Sequence, residues 1–201
     1  MLRVGLTGGL ASGKSFVGKT LAGLGCLLIK ADELGHDVME PGAEAFAPIV
    51  EQFGTEILDT SGAIDRRKLG AMVFDQPEKL EKLNAIVHPL VRARGKRLEE
   101  EFKQREPDGI CVTEAAILVE TGSYRDYAKL IVAICSEEQQ IERAILRDHL
   151  TRDQVLSRLR RQMPLEQKIK FADYIIDTSG TKDHTLEQTR SVYASLRSLA
   201  K

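Results

Sequence analysis

Residues 3–25 read RVGLTGGLASGKSFVGKTLAGLG, and the reading of this stretch decides the fold. A short apolar run, Arg3–Thr7, gives way to Gly8, Gly9 and Gly13, then to Lys14 and Ser15, and a helical pattern follows from Ser15 to Leu24. Glycine weakens strands and helices alike, so three of them at such a junction need another purpose. The run Gly8-Gly9-Leu10-Ala11-Ser12-Gly13-Lys14-Ser15 matches G-x-x-x-x-G-K-[ST] at every fixed position, in the strand–loop–helix context the motif requires. Backbone N–H groups can wrap a phosphate only where side chains do not obstruct them, and the positive end of the next helix adds attraction for anions. Lys14 is expected to reach the β- and γ-phosphates of a nucleotide, and the Ser15 hydroxyl to help hold Mg²⁺.

Further apolar runs follow at Leu27–Ala31, Ile110–Thr113, Leu130–Cys135 and Tyr174–Asp177. Most are too continuously apolar to be strands with one wet face, which suits parallel strands covered on both sides. Helical patterns lie between them: Glu137–Arg147 behind a capping Ser136, a second helix behind the capping box Thr151-Arg152-Asp153-Gln154, and Asp183–Leu199 at the end. The alternation predicts an α/β fold, a doubly wound parallel five-stranded sheet flanked by helices. From Asp32 to Pro107 no strand is expected, only helical patterns broken at Pro41-Gly42, Thr60-Ser61-Gly62 and Gln76-Pro77. The expected division is a nucleotide-binding core of residues 1–31, 110–136 and 172–201, a helical substrate-binding insertion of residues 32–109, and a core helix and lid of residues 137–171.

With 29 basic and 30 acidic residues the formal net charge is -1, so no global pull toward nucleic acid or membrane follows. No apolar stretch approaches the roughly 20 residues of a membrane helix, and the first residues lack a signal-peptide pattern. A cytoplasmic protein is expected, monomeric or a small homo-oligomer, with no nucleic-acid or membrane partner. Cys26, Cys111 and Cys135 are odd in number, widely spaced and set among apolar residues, which favours buried reduced thiols over disulfides or metal ligands.

A phosphate loop does not by itself name a reaction. D-x-x-G, which a GTPase would carry, occurs three times (at Asp32, Asp59 and Asp177) and so discriminates nothing, while N-K-x-D is absent. A motor ATPase would want a longer chain and an acidic residue closing an apolar strand. The size and the helical insertion favour a small-molecule kinase. Such an enzyme needs a carboxylate near the γ-phosphate, cations for the developing charge, and a cover that excludes water. Asp32 stands at the carboxyl end of a predicted strand, where ligands of such sheets bind, or it caps the helix after it. Arg143, Arg147, Arg152, Arg158, Arg160 and Arg161 crowd one region, as a solvated basic face or as a phosphate-covering lid.

Across nearly its whole length the chain resembles the dephospho-coenzyme A kinases. The features run in order: GLTGGLASGKS at the opening loop, KADELGHDVMEPG (30–42) like a D-A-D segment with a later Pro-Gly turn, and IDRRKLGAMVF (64–74) with LNAIVHPLV (83–91) like paired insertion motifs. AAILVETG (115–122) is similar to P-L-L-[FV]-E, and RAILRD (143–148), SRLRRQMPLEQK (157–168) and ADYIIDTSG (172–180) resemble the lid and last strand. The resemblance implies ATP-dependent phosphorylation of the ribose 3′-hydroxyl of dephospho-coenzyme A, the last step of coenzyme A synthesis, with Mg²⁺ as cofactor. By position, Asp32 would activate or orient the acceptor hydroxyl, while Lys14 and Arg143 would stabilise the transferred phosphoryl. ATP would be bound by Gly8, Gly9, Leu10, Ala11, Ser12, Gly13, Lys14, Ser15, Phe16, Arg143, Arg147 and Gly180. Arg66, His88, Glu120 and Arg158 would join Asp32 in binding the acceptor. His88, before Pro89, could equally be a structural residue at a helix end.

Four positions depart from the family pattern. Lys30 replaces the first Asp of D-A-D, Ala116 the Pro of P-L-L, Thr178 the Asn of D-N-S-G beside the expected adenine pocket, and His36 a frequent Arg. Two other readings stay open on the residues alone: a kinase for another nucleotide-like metabolite, and a nucleotide-dependent regulatory module.

Overall fold

The computed structural model describes residues 1–74 and 76–200. Its strands are β1 (Leu2–Gly8), β2 (Leu27–Lys30), β3 (Ile110–Glu114), β4 (Lys129–Ile134) and β5 (Tyr174–Asp177). They form one sheet in the order β2-β3-β1-β4-β5, and every pairing is parallel. The sequence runs predict each strand to within a residue at either end. β1 and β3 sit inside the sheet, which is why their residues read as unbroken apolar runs rather than alternating ones.

The helices are α1 (Lys14–Gly23), α2 (Ala31–Asp37), α3 (Phe46–Phe53), α4 (Arg66–Phe74), α5 (Pro77–Arg105), α6 (Glu137–Asp148), α7 (Arg152–Leu159), α8 (Leu165–Lys168) and α9 (Lys182–Leu199). The chain divides into two compact units, Met1–Lys30 with Glu101–Lys201, and Ala31–Glu100. In the first, Val4, Leu6, Val112, Ile131 and Ile176 of the sheet pack with Val17 and Leu21 of α1 and with Val192 and Leu196 of α9. Thr151 closes the expected reciprocal capping box at the start of α7, and Ser136, expected only as a cap, closes one with Gln139 at the start of α6. A smaller cluster joins Ile141 and Ala144 of α6 to Val155 of α7, with Leu10 and Ala11 of the glycine loop packed against it.

In the second unit Val38, Ile49, Phe53, Ile57, Leu69 and Val73 form the core, with Ile86, Val87, Leu90 and Val91 of α5 against it. That apolar face explains a departure from expectation. α5 runs unbroken through Pro89, so His88 lies inside a helix and not at its end. A mid-helix proline removes one backbone hydrogen bond, and residues packed before and after it hold the helix together.

Candidate active site

The glycine loop leaves β1 at the carboxyl edge of the sheet and enters α1. Two residues have left-handed backbone conformations there, Ala11 at φ 53° and Gly13 at φ 86°. A non-glycine residue in that region is strained, and such strain persists where the surroundings over-determine it. Several contacts do so. The Leu10 N–H donates to Gln162 Oε1 (2.8 Å), while the Leu10 carbonyl accepts from Gln140 Nε2 (2.8 Å). Thr178 Oγ1 donates to the Ser12 carbonyl at 2.8 Å. A Cβ on Gly13 would stand 2.8 Å from that same oxygen, so position 13 needs glycine for space as well as for φ.

The loop lines a cavity of about 430 Å³ formed by residues 11–16 with Arg143, Leu146 and Arg147. Lys14 Nζ donates to the Gly9 carbonyl at 2.9 Å, curling back over its own loop. Arg143 donates from Nη1 to Thr178 Oγ1 (3.1 Å) and from Nη2 to the Thr178 carbonyl (2.7 Å). The arginine is thereby aimed from α6 across the end of β5. Arg147 holds Asp148 through two bonds of 2.7 and 2.8 Å, and this pairing lowers the Asp148 carboxyl below its ordinary range. Thus residues 11–16, Arg143 and Arg147 come together around one cavity. Gly8, Gly9 and Leu10 shape the loop behind it, and Gly180 is an exposed residue beyond β5 and outside the cavity lining.

Sequence reasoning missed Glu114. It ends β3 at Thr113, one residue short, and so overlooks an acidic residue closing an apolar strand. Glu114 is buried, and its Oε1 accepts from Ser15 Oγ at 2.7 Å, while Oε2 is buried with no hydrogen-bond partner. An orphaned carboxylate oxygen beside the loop serine is a hard donor of the kind Mg²⁺ prefers. No group of three or more His, Cys, Asp or Glu side chains among the described residues could hold a metal by itself. Lys30 stands opposite Glu114 in the β2–β3 register, so the departure at position 30 sets a cation on the strand next to this carboxylate.

Two of the other departures also find physical accounts, while nothing in the structure explains the third, His36 in the last turn of α2. Ala116 contributes its carbonyl, which accepts from Thr7 Oγ1 (3.2 Å) and Lys168 Nζ (2.7 Å), a role independent of the side chain there. Thr178 braces the glycine loop and Arg143 through its hydroxyl and carbonyl. Its hydroxyl has turned inward to satisfy buried carbonyls. Cys26 and Cys111 are buried as expected, and burial pushes the Cys26 thiol up to about 12. Cys135 is only half-buried, because it lies just past the end of β4; its thiol is also raised, by desolvation against the opposing pull of Arg143.

Of the acceptor residues implied by resemblance, Asp32, Arg66 and His88 belong to the helical unit. Asp32 is exposed in the first turn of α2, whose first residue is Ala31; it therefore lies inside the helix, and the capping alternative is corrected. Arg66 pairs with Glu40 at 3.5 Å, both side chains half or more exposed. His88 borders a shallow depression on α5 with Glu81, Asn84 and Arg92. Desolvation, then the nearby Arg92 charge, lower its pKa, so the imidazole is neutral at pH 7. Glu120 and Arg158 belong to the sheet unit. Arg158 is exposed at the end of α7, and Glu120 is engaged by Met163 N–H (3.0 Å) and Lys168 Nζ (2.8 Å).

Residues 2–184 match the family model described as CoaE, dephospho-CoA kinase. The dephospho-CoA kinase of Aquifex aeolicus is 41% identical over 98% of this chain and 98% of that protein. A crystal structure from Thermus thermophilus covers 96% of each chain at 30% identity with a TM-score of 0.83. The dephospho-CoA kinase structure from Campylobacter jejuni covers 96% of each chain at 26% identity and a TM-score of 0.62.

Proposed function

The chain belongs to the dephospho-CoA kinase family, and on that premise we propose how its residues share the reaction. It is a phosphotransferase that uses ATP to phosphorylate the ribose 3′-hydroxyl of dephospho-coenzyme A, giving coenzyme A and ADP in the last step of coenzyme A biosynthesis. The observation that carries the assignment of roles is the strained glycine loop, which opens on one cavity together with Lys14, Arg143 and Arg147.

The triphosphate lies on the loop amides. Lys14 leaves its carbonyl contact for the β- and γ-phosphates, and Arg143, fixed by Thr178, meets charge that develops on the transferred phosphoryl. Because Thr178 aims Arg143 before substrate arrives, little reorganisation is left for the transition state. Ser15 and Glu114 are the residues that fit Mg²⁺, which when bound offsets the charge of the phosphate oxygens. Asp32, two residues past β2, orients the acceptor hydroxyl and accepts its proton. Arg66 exchanges its exposed partner Glu40 for an acceptor phosphate, an exchange made cheap by the small worth of a surface ion pair. Neutral His88 and exposed Arg158 complete the acceptor contacts. No helix among the described residues is long and apolar enough to cross a membrane, and we place the enzyme in the cytoplasm, where its ATP is.

The deciding experiment incubates the purified protein with Mg²⁺, ATP and dephospho-coenzyme A and follows the acceptor by mass. A gain of one phosphate is expected; no product at high enzyme concentration refutes the assignment.

A further inference from the structure

After α7 the chain returns to the sheet through residues 160–168, and this return is pinned at three points. Gln162 Oε1 accepts from the Leu10 N–H at 2.8 Å, tying the return to the phosphate loop. Glu120 Oε1 accepts from the Met163 N–H at 3.0 Å and from Lys168 Nζ at 2.8 Å. Lys168 Nζ also donates to the Ala116 carbonyl at 2.7 Å. The Lys168 side chain is 0% exposed, the largest fully buried side chain among the described residues.

A buried ammonium is costly, and a well-packed apolar side chain in its place is often neutral or stabilising. Stability alone therefore does not account for this pair. Nor is its hydrogen bonding complete, since Glu120 Oε2 is buried without a partner. What the arrangement achieves is convergence. One carboxylate oxygen takes both the first backbone amide after Gln162 and the ammonium at the end of α8, on the loop that directly follows β3. Arg158, Arg160 and Arg161 immediately precede that clamp, so its position sets theirs. A carboxylate so committed is also a poor ligand for an acceptor that itself carries phosphates.

We propose that Glu120 is a positioning residue for the arginine-bearing lid, with Lys168 as its buried counter-ion, and not a ligand of the acceptor. The proposal rests on the kinase reading above. A shift of about an ångström in reacting partners can cost on the order of a hundredfold in rate, so loosening the clamp lowers turnover without touching either substrate.

The test compares Glu120→Gln, Lys168→Met and the double variant with wild type, varying ATP and dephospho-coenzyme A separately. All three are expected to lose about 10–100-fold in kcat and to raise the KM for ATP. The KM for the acceptor is expected to stay within about twofold, because binding the clamp does not touch is unchanged. The double variant carries no unpaired buried charge and is expected to melt near wild type, so it remains measurable where a single variant fails to fold. A rise in acceptor KM confined to Glu120→Gln would restore the acceptor-ligand role, and wild-type kcat in the double variant would reduce the pair to a structural one. Trypsin cleavage after Arg160 and Arg161 supplies a readout independent of the acceptor. ATP is expected to protect these sites in wild type and not in the double variant, and equal protection overturns the proposal. Wild type that protects its lid with ATP yet leaves dephospho-coenzyme A unphosphorylated would count against the kinase reading alone.

Discussion

Around the phosphate loop the polar side chains are already committed before any substrate is present: Ser15 to Glu114, Arg143 to Thr178, and the Leu10 peptide to Gln140 and Gln162. In the helical unit the corresponding residues are loosely held. Asp32 is exposed, Arg66 meets Glu40 only at 3.5 Å, and His88 borders a shallow depression. The contrast separates two ways of meeting an anion. A triphosphate presents the same oxygens in every encounter, so rigid preorganisation costs nothing in generality and sharpens the transition state. A long acceptor is met by exposed side chains that order as it binds, trading affinity for adaptability.

The sharpest attack on this contrast is Asp32→Asn. If the exposed residue performs proton handling and orientation, turnover falls about 10²–10⁴-fold while ATP binding, measured by titration, stays normal. Near-normal turnover would leave the helical unit with binding work only. A smaller effect is expected on the committed side. Glu114→Gln keeps an acceptor for Ser15 Oγ but removes the charge, and the Mg²⁺ concentration for half-maximal rate should rise about 10–100-fold. An unchanged Mg²⁺ dependence would make Glu114 a brace for the loop and nothing more. The smallest effect concerns His88. Its pKa is lowered on folding, so the unfolded chain binds the proton more readily. The stability this contributes is complete above the ordinary histidine value of about 6.5 and is lost as pH falls through the lower folded value. Melting curves from pH 7 to 5 should show wild type losing more than His88→Gln; parallel losses would deny His88 its desolvated site.

How legible all this was in the sequence follows from the same division. Glycine loop, apolar strands and capping boxes are local devices, and each could be read from a few adjacent residues. Glu114 could not, because its meaning lies in Ser15, 99 positions away in sequence, and the apolar run ends at Thr113. A signal was present all the same: an acid directly after four strand residues, in a chain with a phosphate loop. Pro89 by itself marks a helix end at His88, a local weight that the apolar face of α5 outweighs. Glu120 and Lys168 meet across 48 residues, and nothing in composition or periodicity links them; only the folded chain shows the clamp. Asp32 is legible from its place just past the end of a predicted strand, whereas Arg66 and His88 are named through resemblance, since a single polar residue on a helix carries no pattern of its own.

The strand order has a consequence for how this chain comes into being. β1 leads the sequence, yet its neighbours are β3 and β4, and Leu2 finds its partner only at Ile110. On a ribosome, more than half the chain must emerge before the first strand can pair at all. The helical unit draws its core from residues 38–91 and can condense from its own contacts while β1 waits. The segment that reads most plainly as a nucleotide site is therefore among the last to acquire its shape, and an amino-terminal fragment ending before β3 would carry the whole motif with no sheet to hold it.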